Sequence, residues 1–205
     1  MLTRSSHKEN SKAWWDELYS SKGEQFFYGK EPSNWLMGHT DSLPAGASIL
    51  EVGCGEGRNA VALAAKGFQV KAIDFSSVAL GRAEDLAKNS GVSVEWKSTD
   101  LDLFLPQLMS FDAIVCVNVK MPKTLLANLA RGLKQNGHVF VDTYLMISAK
   151  EGRAEAFECF QSNELLKLLT ASGASFRILH YSELDQDLKI DSGRVRLIAR
   201  KTQLF

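Results

Sequence analysis

Apolar positions along the chain alternate between two periods. Short strand-like apolar runs read at Ser48 to Val52, Val70 to Asp74, Ser93 to Lys97, Ala113 to Val117 and His138 to Tyr144, and segments near 57–66, 77–89 and 122–134 between them place apolar residues at helical spacing. Near-continuous apolar strands separated by amphipathic helices predict a parallel sheet covered on both faces, an α/β fold of three layers. Upstream, Trp14, Trp15, Leu18 and Tyr19 sit at helical spacing within 12–22, "GEQFFYGKEPSNWLMGH" reads as a loop feeding a short helix, and "DSLPAGA" as a turn into the first strand. Downstream come a helix near 163–172, a strand near 175–182 and the imperfectly alternating "GRVRLIARK". The hairpin-type turn "IDSG" just before that last strand predicts that it runs antiparallel, which makes a seven-stranded, mostly parallel sheet. Residues 146–162, "MISAKEGRAEAFECFQS", interrupt the alternation after a strand's carboxyl end, beside the expected ligand crevice, and are read as a lid.

Composition narrows the class. A length of 205 residues suits one domain with a full core: 1–46 as a helical, lid-like extension, 47–145 as the ligand-binding core, and 146–205 as a substrate-side insertion with the last strands. Apolar residues at 45% and charged residues at 23% exclude a disordered chain. Lys plus Arg and Asp plus Glu both total 24, so no global field draws the protein to nucleic acid or to anionic membrane. The N-terminus lacks a signal-peptide core and no window approaches the roughly 18 apolar residues of a membrane span, so a cytoplasmic location is expected. Cys54, Cys116 and Cys159 form no C-x-x-C pair and read as reduced thiols. His7, His39, His138 and His180 are scattered, so no protein-bound metal is expected.

The chemistry lies in "LEVGCGEGRN". A strand that ends at Val52 and runs at once into Gly53, Gly55 and Gly57 turns tightly with its backbone exposed, and the helix that follows aims free N–H groups at whatever binds there. A dinucleotide loop, G-x-G-x-x-G, would need glycine where Arg58 stands, and a phosphate-binding P-loop would end in Gly-Lys-Ser or Gly-Lys-Thr. What remains is G-x-G-x-G with Asp74 ending the next strand, where a carboxylate can take both hydroxyls of a ribose. That pattern suits an adenosine without pyrophosphate. Asp100, in "STDLDLF" after the third strand, is placed to accept a hydrogen bond from an adenine amino group, although with Asp102 it also reads as a helix start. Asn118, just past the fourth strand, ends near the same crevice. Arg58 would reach an anionic substrate or a ligand carboxylate, or pair with Glu56 or Glu84.

Taken together, "LEVGCGEGRN", "AIDFS" and "TDL" resemble the class I S-adenosylmethionine-dependent methyltransferases over roughly residues 47–145. With "WWDELY" and "FYGKEPSNWL" ahead of the glycine loop, the chain is similar to the tellurite-resistance-type and thiopurine-type enzymes, which methylate chalcogen atoms or other small molecules. The resemblance implies a Rossmann-like methyltransferase fold, S-adenosylmethionine as cofactor with S-adenosylhomocysteine as product, and a small-molecule acceptor. It implies that Gly53, Gly55 and Gly57 line the methionine end, that Asp74 holds the ribose, that Asp100 and Leu101 meet the adenine, and that Phe75 lies against its ring. Cys54, Arg58, Asn59, Ser76 and Asn118 complete the expected cofactor site. Where such relatives often carry His-Leu-Pro after the fourth strand, this chain reads "NVKMP".

Phe26, Phe27, Tyr28 and Trp35 are read as aromatics that close over the cofactor, with core packing as the competing role of the "FFY" cluster. Lys120, Met121 and Tyr144 are read on the substrate side. No general base stands out, as suits a soft, already ionised acceptor. Rival readings are a nucleic-acid or protein methyltransferase, a non-catalytic S-adenosylmethionine sensor, and a nicotinamide dehydrogenase, the last weakened by Arg58. The chain lacks the Pro-Pro-aromatic and Pro-Cys signatures of base methylation, and nothing in it chooses between monomer and homodimer.

Overall fold

The computed structural model describes residues 11–119, 123–145, 160–187 and 192–203. Helix α1 (Lys12–Ser21) is followed by the short α2 (Asn34–Met37) and a 3-10 turn at Thr40–Ser42. Then come β1 (Ser48–Val52), α3 (Arg58–Ala65), β2 (Gln69–Asp74), α4 (Ser77–Asn89), β3 (Glu95–Ser98) and β4 (Phe111–Val117). The chain continues through α5 (Lys123–Gly132), β5 (Leu133–Leu145), α6 (Glu164–Thr170), β6 (Ser175–Asp187) and β7 (Ser192–Gln203). Serines start three of the helices: the Ser11, Ser33 and Ser76 side chains accept the N–H groups of Trp14, Leu36 and Ala79.

The seven strands form one sheet in the order β3-β2-β1-β4-β5-β7-β6. Strands β1 to β5 pair in parallel, and β7 runs antiparallel to both β5 and β6. Side chains alternate between the two faces of a strand, and here both faces are buried. Leu50, Val52, Ile114 and Cys116 pack on one face with Leu125, Leu126 and Leu129 of α5 and Leu165 and Leu169 of α6. Ile49, Ala113, Val115 and Phe140 pack on the other with Leu36, Ala60, Leu63 and Leu80. At the bottom of the sheet the buried Lys201 donates to the Ala130 and Leu133 carbonyls at 2.6 and 2.9 Å, which satisfies groups exposed by the end of α5.

The architecture is the one expected from the alternating periods, with differences at the edges. Strand β3 begins at Glu95 rather than Ser93, because as an edge strand it is defined only by its pairing with Lys71–Asp74 of β2. Strand β5 starts five residues earlier than expected. Asn136, at φ 62°, turns the "LKQNG" stretch so that Leu133 pairs with Phe111 before a register shift restores the regular ladder at Ala113 and His138. Strands β6 and β7 form a longer ribbon than the apolar pattern marks, extending to the pair Asp187–Ser192. The expected helix start at Asp100 is a turn, closed by the Asp102 N–H on Asp100 Oδ1 at 2.9 Å. Most of the expected lid, 146–159, lies outside the described residues. Its return is fixed where Phe160, fully buried, donates its N–H to the Tyr144 carbonyl at 2.9 Å. No described helix is long and apolar enough to cross a membrane.

Candidate functional site

Strand β1 has β2 on one side and β4 on the other, so the carboxyl ends of these strands part where the strand order reverses, the usual ligand crevice of an open α/β sheet. A cavity of about 260 Å³ lies there.

Its floor is the glycine loop. Gly53 has φ 64°, and a Cβ on it would come within 2.3 Å of Val119 Cγ2, so only glycine lets the loop pass under the segment that follows β4. Gly57 behaves differently: it is the N-cap of α3 at φ 81°, and a Cβ there would meet Ala83 at 2.7 Å and Trp96 at 2.8 Å. That glycine serves the packing of the loop on α4 and lies outside the cavity, whereas Gly53 and Gly55 line it.

Asp74, buried at the end of β2, holds the loop in shape. Its Oδ2 accepts the Gly55 N–H at 2.8 Å and its Oδ1 the Ser76 N–H at 2.9 Å. Burial raises its carboxyl above the ordinary aspartate range, and these backbone hydrogen bonds oppose the rise. Ser76 itself lies below the cavity, capping α4 and donating its hydroxyl to Asp16 Oδ1 at 2.5 Å.

One acidic residue that the sequence reading passed over lies deepest. Glu51, fully buried within β1, accepts a hydrogen bond from Asn59 Nδ2 at 3.0 Å on Oε1 and has the Ala60 N–H near its carboxyl, while Oε2 completes no hydrogen bond among the described residues. Desolvation pushes its carboxyl from 4.5 up to about 7. A carboxylate oxygen buried without a donor beside a cavity is a position for a cationic or hydrogen-bonding ligand group. The signal was present in "ILEVG", a charge within an otherwise apolar strand.

The segment between α1 and α2 covers the cavity and is tied to the loop by the loop's own side chains. Glu56 Oε2 accepts the Phe27 N–H at 2.6 Å and Oε1 accepts Arg82 Nη1 at 2.6 Å, while Arg82 also donates to the Gln25 and Gly23 carbonyls. Asn59 Oδ1 accepts the Ser33 N–H at 2.8 Å. Arg58 Nη1 donates to the Tyr28 and Glu31 carbonyls at 3.2 and 3.1 Å, and the guanidinium lies 5.6 Å from the Tyr28 ring centre. Arg58 therefore pairs with neither Glu56, which is engaged by Arg82, nor Glu84.

On the β4–β5 side, Asn118 at φ 59° and Tyr144 line the cavity, and the Tyr144 hydroxyl donates to that of Tyr28 at 3.4 Å. Behind them Arg194 is buried against Asp142, with Nε and Nη2 on Oδ1 at 2.9 and 2.6 Å, and its Nη1 donates to Asn118 Oδ1 at 2.7 Å.

Of the residues read from sequence, Gly53, Cys54, Gly55, Arg58, Asn59, Asp74, Phe75, Asp100, Leu101 and Asn118 meet at the cavity, together with Tyr28 and Tyr144. Phe27 stands one layer back, edge-on to Trp15, Tyr19 and Tyr28. Trp35 is elsewhere: it packs with His39 and His180 and under Arg196, against the core cluster on the α2 side. Lys120 and Met121 lie outside the described residues. Trp15, Glu51, Glu56, Asp102 and Val119 line the cavity without having been singled out for it. No group of three His, Cys, Asp or Glu side chains able to hold a metal occurs among the described residues.

Residues 49–137, which carry the loop, Asp74, Asp100 and Asn118, match a protein family described as a methyltransferase domain. The ubiquinone biosynthesis O-methyltransferase of Idiomarina loihiensis is 32% identical over 114 residues, covering 53% of this chain and 46% of that protein. The chain thus spans about half the length of the curated relatives it matches. Among solved structures, a methyltransferase from Methanosarcina mazei superposes with a TM-score of 0.68 at 20% identity over 85% of this chain and all of its own. The [4+2]-cyclase SpnF superposes equally well, with a TM-score of 0.68 at 20% identity over 96% of this chain and 85% of its own. The fold is the Rossmann-like methyltransferase fold, with the antiparallel strand β7 inserted beside β5.

Proposed function

We propose that this protein transfers the methyl group of S-adenosylmethionine to a small-molecule acceptor. The observation that carries the reading is the pair of buried carboxylates at the cavity, Asp74 pinning the glycine loop and Glu51 with one oxygen undonated, within a segment that matches a methyltransferase domain. The residues present fit the cofactor. Asp74 accepts the Gly55 N–H on Oδ2 and the Ser76 N–H on Oδ1, and a carboxylate with about four acceptor sites still has capacity for a ribose hydroxyl. Glu51 Oε2 suits the α-ammonium of the methionine moiety, and Arg58, with Nε and Nη2 free of ion pairs among the described residues, suits its carboxylate. Phe75 and Leu101 offer apolar walls for the adenine, with Asp100 exposed at the rim for its amino group.

When bound, the cofactor supplies a methyl group on a cationic sulfonium, open to in-line displacement. The chain's part is to hold both partners in line and to keep water out, and geometry of this kind is worth effective molarities of about 10⁵ M or more. Trp15, Tyr19 and Tyr28 form the water-excluding cover. The tellurite-resistance-type resemblance extends the proposal to chalcogen oxyanions or thiols as acceptors, and the curated relatives point to oxygen. Zero net charge disfavours nucleic acid, and a cytoplasmic location belongs to the same proposal.

Incubation with S-adenosylmethionine and a panel of tellurite, selenite, thiols and catechols, followed by release of S-adenosylhomocysteine, tests it. Acceptor-dependent release from any member supports methyl transfer to a small molecule. Tight binding of the cofactor with no release from any small molecule would favour a sensor or a macromolecular acceptor.

A further inference from the structure

The polar groups of the cavity are sorted by kind. Every carboxylate that lines it, Glu51, Glu56, Asp74, Asp100 and Asp102, comes from β1 to β3 or the loops that follow these strands. Among the described residues none comes from the β4–β5 side, where the polar lining is Asn118 and Tyr144, with Tyr28 reaching across from the cover.

That side also offers hydrogen-bond donors. A guanidinium has no acceptor, so Arg194 Nη1 fixes which end of the Asn118 amide faces it: Oδ1 is held at 2.7 Å, and the polar group left over is the donor Nδ2. Arg194 is itself anchored by the buried Asp142, whose Oδ1 accepts from its Nε and Nη2 and also from Arg196 Nε at 3.3 Å, so one carboxylate is shared by two guanidiniums. Its guanidinium carbon also sits 4.9 Å from the Tyr144 ring centre. The Tyr28 and Tyr144 hydroxyls meet at 3.4 Å, a long contact between two groups that each donate and accept, so the Tyr28 O–H can turn from Tyr144 to a ligand. Burial holds both phenols above the ordinary tyrosine range, so they stay protonated and keep these hydrogens at neutral pH.

We infer that the acceptor end of the cavity is a donor-lined subsite for an anionic acceptor group, an oxyanion, thiolate, phenolate or carboxylate, held by the Tyr28 O–H and Asn118 Nδ2, with Arg194 as the positioning residue that turns the amide. The inference rests on the cofactor reading above and specifies the substrate class of the same site. An amine fits less well, because among the described residues this side brings no carboxylate to receive its N–H groups. An anion also completes the chemistry without a base. Its lone pair forms the bond to the methyl carbon, the carbon–sulfur bond breaks with its electron pair kept on sulfur, and the charges of −1 and +1 cancel, so no proton has to leave.

The test uses the full chain saturated with S-adenosylhomocysteine, whose binding is measured first by calorimetry. If that ligand does not bind, it is the cofactor reading that fails. With it bound, selenite, benzoate and thiophenolate are titrated against benzylamine and aniline. At least one anion should bind at least tenfold more tightly than either amine. Tyr28→Phe, which keeps the covering ring and loses only the hydroxyl, should weaken that anion by about tenfold or more, the usual worth of a hydrogen bond to a charged group, and weaken it more than it weakens S-adenosylhomocysteine. Arg194→Lys keeps a charge for Asp142 but loses the planar fork that spans Asp142 and Asn118. It should reduce the ratio of anion to amine affinity, a quantity that a merely structural role would not move. Binding of an amine as tight as that of the best anion, no binding of any anion, or an anion affinity unchanged in Tyr28→Phe overturns the inference.

Discussion

Asp74 Oδ2 accepts the backbone N–H of Gly55 at 2.8 Å, so the carboxylate that ends β2 sets the shape of the loop that follows β1. One side chain thereby links the floor of the cavity to its wall, and its removal has two effects. Asp74→Ala strands the buried N–H groups of Gly55 and Ser76, each worth roughly 1–3 kcal/mol. A lowered urea midpoint and at least tenfold weaker binding of S-adenosylhomocysteine are expected, read by denaturation and calorimetry. Unchanged affinity would mean that the loop finds its shape without Asp74.

Glu51 gives the site a pH dependence. Its folded value of about 7 lies above the ordinary 4.5, so between these values the folded chain holds a proton that the unfolded chain has released. Stability therefore falls as pH rises from about 4.5 to about 7 and levels off above, by roughly 3 kcal/mol in all. Glu51→Gln should flatten that slope. An ammonium ligand needs the ionised carboxylate, so cofactor affinity should rise through pH 7 and decline above about 8, where the ligand's α-amino group loses its proton. Titrations from pH 6 to 9 on both proteins check this, and an equal pH profile in the Gln variant would remove Glu51 from the site.

Gly53 and Val119 test the floor. Gly53→Ala meets Val119 Cγ2 at 2.3 Å and also carries a side chain at φ 64°. The variant is expected to lose cofactor binding. Adding Val119→Ala removes the clash but not the backbone strain of about 1–2 kcal/mol. Partial recovery in the double variant is the expected outcome, measured by the same titration, and full recovery would show that the left-handed conformation is dispensable.

The cover should loosen when its bolt is cut. Arg82→Ala removes the donor to Glu56 and to the Gln25 and Gly23 carbonyls. Hydrogen exchange in residues 23–29 should quicken by about tenfold or more, since local opening follows the free energy of the contacts that close it. The exchange of β4 should stay as it was. Equal acceleration in both would point to global destabilisation instead.

Much of this was legible in the sequence because it depends on local period and turn chemistry. The strand-to-loop transition at Val52 and Gly53, the acidic end of β2 at Asp74 and the antiparallel β7 each announce themselves within a few residues. The rest needed three dimensions. Gly57 shares its spacing with Gly53 and Gly55, yet what it faces, Ala83 and Trp96, is decided by how α4 and β3 pack. Trp35 lies near Tyr28 in sequence, but α2 turns it toward His39 and His180 on the far face. Glu51 was hidden by its strand, and Arg194 by an imperfect alternation, because their partners are distant: Asn59 across the glycine loop, Asp142 and Asn118 across two strands.

The central claim, that the cavity at the end of β1 and β2 is a site for S-adenosylmethionine, is tested most directly by calorimetric titration of the purified chain with S-adenosylmethionine, S-adenosylhomocysteine and NAD. Saturable micromolar binding of the two sulfur ligands and none of NAD is the predicted result. Silence from both sulfur ligands, or preference for NAD, would contradict the account.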